Sequence, residues 1–153
     1  LLHIHKYERL YYSYGANLSH TGDTNETELT SFVLSGNTLG VNDALRINLT
    51  GTITNDNGGT RTINVKFGGT TVWALNFGSD NNALGEILIQ NRNSLASQYI
   101  SGYQILEVGI LRIASTSSID TSSNVTIQIT GQVNQALDIV NLQRITVEIV
   151  RVI

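Results

Sequence analysis

The sequence predicts an all-β fold, an antiparallel β-sandwich of jelly-roll-like type. Three observations carry that prediction. From about residue 28 onward, apolar and polar residues alternate with period two over run after run. Glycine, asparagine and aspartate punctuate these runs every ten or so residues, the spacing of a sandwich or barrel. Helical signals are thin, because Ile87, Leu88 and Ile89, in the best helical window at 84–97, prefer extended backbone. A chain of 153 residues is one domain in size. At that length folding buries roughly 68–70% of the unfolded surface, enough for a core without staples.

Taken in order, residues 1–14 stand apart as an arm or junction segment. They hold His3, His5, Lys6, Glu8 and Arg9 together with Tyr7, Tyr11, Tyr12 and Tyr14, four of the six tyrosines. Such a segment reads either as a docking arm or as an edge strand with half-buried tyrosines, since tyrosine suits both. Residues 15–153 are the expected jelly-roll domain, with about eight to ten strands. Clear alternation marks strands at 45–54, 62–67, 124–130 and 144–149. A one-residue slip would turn every apolar side chain of such a strand to water, so register is well specified. Asn55 to Gly59 reads as a hairpin turn, Gly68-Gly69 as a second and tighter one, and 78–82 and 115–118 as looser loops. Trp73 alternates in phase with Leu75 and Phe77, which assigns it to the core rather than to a stacking platform.

Composition excludes several function classes. Nine basic against twelve acidic residues, with Lys6 and Lys66 the only lysines, lack the clustered cations of a nucleic-acid face. No apolar run reaches the ~18–20 residues of a membrane helix, so no membrane insertion is expected. Without cysteine there is neither a disulfide nor a thiolate nucleophile. Methionine is absent too, position 1 included, and the expectation is a piece or processed product of a longer chain. Charged residues make up 14% of the chain against a typical ~25%, so Asn, Ser, Thr, Gln and Gly supply the polar surface.

Candidate chemistry is sparse. His3 and His5 have metal-compatible spacing but no visible third ligand. His20 with Asp23 and Asp43 can be drawn as a base and its orienters, yet no nucleophile motif accompanies them. Glu26, Glu28, Glu86, Glu107 and Glu148 show no pairing of the glycosidase kind. The oxygen-rich turns at Asp56-Asn57-Gly58 and Asp80-Asn81-Asn82 do not match a calcium loop. The expectation is therefore no enzyme, no metal and no cofactor. Arginine is more suggestive: Arg46, Arg61, Arg92, Arg112, Arg144 and Arg151 are spread along the chain among neutral neighbours, a pattern compatible with a subunit seam.

Three segments in order carry a resemblance. They are HTGDT at 20–24, NTLGVNDALRI at 37–47 and KFGGTTV at 66–72. Together they resemble a module of tailed-bacteriophage structural proteins, whose members often carry a proline where this chain has Ser35-Gly36. The resemblance implies a jelly roll of the tail-fibre, head-fibre or capsid-decorating type, found as a homotrimer on the extracellular surface of the virion and contacting other virion proteins. On this reading Ile110, Ile113, Val150 and Val152, with Tyr7, Tyr11, Tyr12 and Tyr14, are the interface candidates. Val150 and Val152 alternate oppositely to Ile145, Val147 and Ile149, so the last strand has apolar residues on both faces. The alternative is a tip domain that binds a host-surface glycan or receptor, with Tyr99, Tyr103, Asp80 and Asn81 as ligand-binding candidates.

Overall fold

The computed structural model describes residues 5–14 as backbone, and residues 18–54, 58–78, 81–107 and 109–152 with side chains. Among them run eleven strands: β1 His5–Tyr14, β2 Leu18–His20, β3 Thr27–Leu34, β4 Ala44–Thr54, β5 Arg61–Phe67, β6 Thr70–Asn76, β7 Asn82–Asn91, β8 Gln98–Leu106, β9 Gly109–Ser117, β10 Val125–Val133 and β11 Ile139–Val152. All pairings are antiparallel. A seven-stranded sheet has the order β1-β11-β4-β7-β8-β9, with β2 also on β11. A four-stranded sheet has the order β3-β10-β5-β6. From β2 to β7 the chain crosses between sheets at every step except the β5–β6 hairpin, the winding of a jelly roll. Hairpins β7–β8 and β8–β9 then widen the larger sheet before β10 and β11 close the sandwich.

The core lies where the sheets overlap. Leu45, Ile47, Leu49, Ile87, Ile89, Ile145, Val147 and Ile149 of the large sheet face Ile63, Val65, Phe67, Ile127 and Ile129 of the small one, all at or near zero exposure. Each such side chain contributes about 1.5–3 kcal/mol by leaving water. Trp73 is 3% exposed, in the core as its phase predicts. Its ring occupies the space a side chain at residue 85 would fill, since a Cβ on Gly85 would lie 2.5 Å from the indole.

The turn chemistry is largely as the sequence reads. Gly68 and Gly69 have φ of +58° and +82°, the mirror-image turn that joins two strands in two residues. Asn55, Asp56 and Asn57 of the other predicted turn lie outside the described residues. Two readings need correction. Ser115, Thr116 and Ser117 continue β9 rather than opening a loop, because they pair with Ile100, Tyr99 and Gln98. Asn82, read as loop, begins β7 and stands opposite Thr52. In β11 the register shifts between Leu142 and Arg144. This bulge re-phases the strand, so Val140 and Leu142 point inward before it and Ile145, Val147 and Ile149 after it.

Buried polar groups close both ends. At one end Asn91 and Gln98 are fully buried and bonded to each other at 3.0 Å. Gln98 also donates to the carbonyls of Leu95 and Ile119 and accepts from the Ile119 amide, while Asn91 donates to Thr121 and to the Gly40 carbonyl. At the other end Arg61 and Asp138, both with no exposed side-chain surface, approach to 3.8 Å, and Arg61 donates to the Gly78 carbonyl at 2.7 Å. The open edge of β6 is covered by a side chain: the Gln104 amide donates to the Asn76 carbonyl at 2.7 Å and accepts from its N–H at 3.4 Å, mimicking a strand rung.

Two stability outcomes follow from this packing. Gly85→Ala drives a methyl into the Trp73 ring and costs about 1–3 kcal/mol in urea unfolding. A Cβ there would also lie 2.6 Å from the Tyr103 carbonyl oxygen, so an effect within error would mean that both the ring and the β8 backbone give way freely. Gln98→Leu strands the Asn91 Oδ1 and the Ile119 amide and carbonyl, a loss of at least about 2 kcal/mol in the same measurement. A neutral result would show that water replaces these partners.

Candidate binding face on the seven-stranded sheet

Register fixes which side chains share the outer face of the large sheet. One row across the strands reads Glu148, Arg46, Leu88, Ser101, Ala114. The next reads Thr146, Asn48, Glu86, Tyr103, Arg112, and a third Arg144, Thr50, Leu84, Ile105, Ile110. In their midst is a shallow depression of about 300 Å³ lined by Arg46, Asn48, Thr50, Tyr103, Arg144 and Glu148 among others. Arg46 donates from Nε to Glu148 Oε2 at 3.0 Å, and its Nη2 bonds the same oxygen. The pair is directly cross-strand, which holds both side chains in place at the rim.

The sequence-derived ligand candidates divide here. Tyr103, 38% exposed, lines the depression; Tyr99, 39% exposed, lies four residues along β8 on the same face, with the Arg92 guanidinium 5.9 Å from its ring centre. Both stand on the sheet surface, not at a loop tip. Asp80 lies outside the described residues. Asn81 is exposed, and its carbonyl accepts the Ile53 amide at 2.8 Å, at the end of the sandwich remote from Tyr99.

The interface candidates form two groups at opposite edges of the sheet. Ile110 is 65% exposed on β9, where Ile113 is half-buried against the core. Val150 is half-buried and Val152 exposed on β11, beside β1. Tyr7 stands opposite Val150, Tyr12 opposite Val147 and Tyr14 opposite Ile145, while Tyr11 falls within a register shift. Sequence reasoning missed Leu111, 55% exposed on the other face of β9 from Ile110. Two adjacent apolar residues in one strand were the signal for it, since neighbours in a strand point to opposite sides.

The base-and-orienter constellation is assembled only in part: His20 Nε2 lies 3.7 Å from the Asp23 carboxylate, and Asp43 is elsewhere. His20 is buried, and its Nε2 lies 3.1 Å from the Asp23 carbonyl oxygen. Asp43 is at the other end of the sandwich, where its carboxylate accepts from Arg151, the Gly40 amide and the Val152 amide. His3 lies outside the described residues. Among the described residues no three His, Cys, Asp or Glu side chains gather as a metal site.

The outer face of the small sheet carries a polar network, beside an exposed Val33 and a depression of about 450 Å³ at Thr62 and Gln132. The Glu26 carboxylate accepts from Lys66 and Asn64, both at 2.8 Å, and from Thr130 at 2.5 Å. Burial pushes its pKa up, but the hydrogen bonds from Lys66, Thr130 and Asn64, with the Lys66 charge, outweigh burial and hold it below the ordinary value. Hydrogen bonds from Ser31 and Gln128 hold Glu28 low as well.

No family model matches the sequence, and comparison with curated proteins gives no match. Solved structures do match in fold. Peanut lectin superposes with a TM-score of 0.51 at 8% identity, over 100% of this chain and 99% of the lectin. The CBM36-1 domain of a multidomain xylanase from the hindgut metagenome of Trinervitermes trinervoides gives 0.45 at 13% identity, over 94% of this chain and 96% of that one. Infectious bursal disease virus VP2 gives 0.42 at 12% identity, over 97% of this chain and 33% of VP2. At such identities the likeness concerns the fold, an all-β sandwich of two antiparallel sheets.

A pH dependence follows from the small-sheet network. Glu26 and Glu28 titrate below 4.5 in the folded chain, so their stabilisation is complete above that pH and is lost as pH falls through the lowered folded values. The thermal midpoint should therefore drop on acidification below 4.5. Glu26→Gln should flatten that drop, and an unchanged slope in this variant would show that its carboxylate is not coupled to folding.

Proposed function

We propose that this chain is a non-catalytic attachment module that binds saccharide on the outer face of its seven-stranded sheet. The depression around Tyr103 carries this reading. An exposed aromatic ring offers an apolar surface to the C–H face of a sugar, and the polar groups beside it can meet hydroxyls in fixed directions. Asn48 and Thr50 supply an amide and a hydroxyl, and the cross-strand Arg46–Glu148 pair adds a held donor and acceptor. Sites of this kind built on strands need little rearrangement to bind. Lectin and carbohydrate-binding domains share the sandwich, which makes the fold a suitable carrier for such a face.

A second reading rests on a different observation, the β9 edge. Ile110 and Leu111 expose apolar surface on both faces of a terminal strand whose outer edge has no neighbouring strand among the described residues. With the motif resemblance, this supports a virion structural module, assembled as a homotrimer on the particle surface with other virion proteins beside it. The motifs themselves sit at corners. HTGDT turns between β2 and β3, NTLGVNDALRI leads from a left-handed Asn37 into β4, and KFGGTTV is the β5–β6 hairpin. They are packing features and do not depend on the saccharide reading.

Tyr103→Ala should lower affinity for a bound oligosaccharide at least about tenfold in isothermal titration while leaving the thermal midpoint within a degree or two, as expected of an exposed side chain. Retained affinity would remove the depression as the binding site. For the second reading, light scattering should give a trimer for the chain and a monomer for the Ile110→Lys, Leu111→Lys double variant. A monomeric parent chain would contradict it.

A further inference from the structure

We infer that the saccharide is an acidic oligosaccharide bearing short apolar substituents such as acetyl groups; this rests on the saccharide reading of the face. The first observation concerns how the arginines are used. Arg46 is bound to Glu148, Arg61 to Asp138 and Arg151 to Asp43, and Arg92 lies over Tyr99. Arg112 and Arg144 are the two described arginine side chains with no carboxylate or ring partner, and both are on this outer face. Arg144 lines the depression, and Arg112 stands directly across from Tyr103.

Around the main depression and the smaller one beside it the outward groups are Arg46, Arg112 and Arg144 against Glu86, Glu107 and Glu148, with Arg46 matched by Glu148. The face is balanced in sum, and the anionic preference rests on Arg112 and Arg144, the two guanidinium groups that no carboxylate engages among the described residues. Guanidinium is also the side chain suited to a planar carboxylate, through two parallel N–H donors.

Length and substituent come from the geometry around these groups. Arg144 on β11 and Arg112 on β9 are four strand spacings apart, roughly 19 Å between backbones. A ligand meeting both must cross the strands, which an oligosaccharide does and a monosaccharide does not. Next to the main depression is a mainly apolar one of about 220 Å³, sharing Thr50 and Leu84 with it, walled by Ala83, Ile105 and Leu106 and bounded by Asn82 and Glu107. A methyl group carried on an acetyl fits such a wall, with the Thr50 hydroxyl as a donor for its carbonyl.

Titration of the full chain with four oligosaccharides of equal length separates the possibilities. The probes are oligomers of N-acetylneuraminic acid, galacturonic acid, N-acetylglucosamine and glucose, which combine acid and acetyl, acid alone, acetyl alone and neither. The acidic, acetylated probe should bind tightest, at least about tenfold above the glucose oligomer, and should weaken with added salt. Arg144→Gln and Arg112→Gln, with unchanged thermal midpoints, should each remove about tenfold from the acidic probes and bring acidic and neutral probes towards the same affinity. Neutral probes binding as tightly as acidic ones would overturn the inference and leave the saccharide reading standing. Absence of binding by all four would overturn both.

Discussion

Apolar side chains leave water only where the two sheets overlap, and the sheets differ in width. The four strands of the smaller sheet cover the β11, β4 and β7 region fully and reach β8 at their margin. The inward side of β8 is still dry, with Gln98, Ile100 and Gln104 all buried. Beyond it, β9 meets the core through Ile113 and is otherwise exposed on both faces along most of its length. This mismatch makes the larger sheet uneven: a rigid, core-backed centre holds the depression, and an apolar margin extends past the core. The centre can present fixed groups because every strand under it is anchored by buried neighbours on the inside.

Closing the ends of the sandwich places a second demand on the chain. Loops that pass over an open end carry backbone groups that cannot be left dry and unpaired. Here side chains take up those groups. Asn91, Gln98 and Thr121 bind three separate segments at one end, and Asp43 ties the corner before β4 to Arg151 and the Val152 amide near the end of the described chain. Arg61 and Asp138 do the corresponding work at the other end. Asp43, which sequence alone allowed to be drawn in a catalytic group, is accounted for by its structural duty. The low charge content of the chain is in keeping with a fold sealed mainly by amides and hydroxyls.

Much of the fold was legible because the information was local. Alternation through 45–54 and 62–67, the Gly68-Gly69 turn and the phase of Trp73 each depend on a few neighbouring residues. What escaped depended on partners far away. Ser115 to Ser117 have loop-like composition and are strand only because β8 offers them a ladder. The re-phasing of β11 is set by its pairing with β4. Of the site, Tyr99 and Tyr103 could be named from sequence, but their neighbours could not. Arg46 and Glu148 are 102 residues apart and meet only through register. Placing Ile110 on the β9 edge and Val152 on β11, towards the opposite side of the same sheet, required the strand order.

Function on this account lies in the contrast between two faces. The small sheet has a polar surface whose carboxylates are engaged by Lys66, Asn64, Thr130, Ser31 and Gln128, leaving it largely occupied with itself. The large sheet has an exposed ring, and among the described residues its Arg112 and Arg144 have no carboxylate partner. An amide-resolved NMR titration with a bound acidic oligosaccharide tests that contrast most directly. Shifts concentrated around Asn48, Leu84, Tyr103 and Thr146, with β3, β5 and β10 silent, are the predicted result. Shifts centred on the small sheet, or on the loops at either end of the sandwich, would contradict the account.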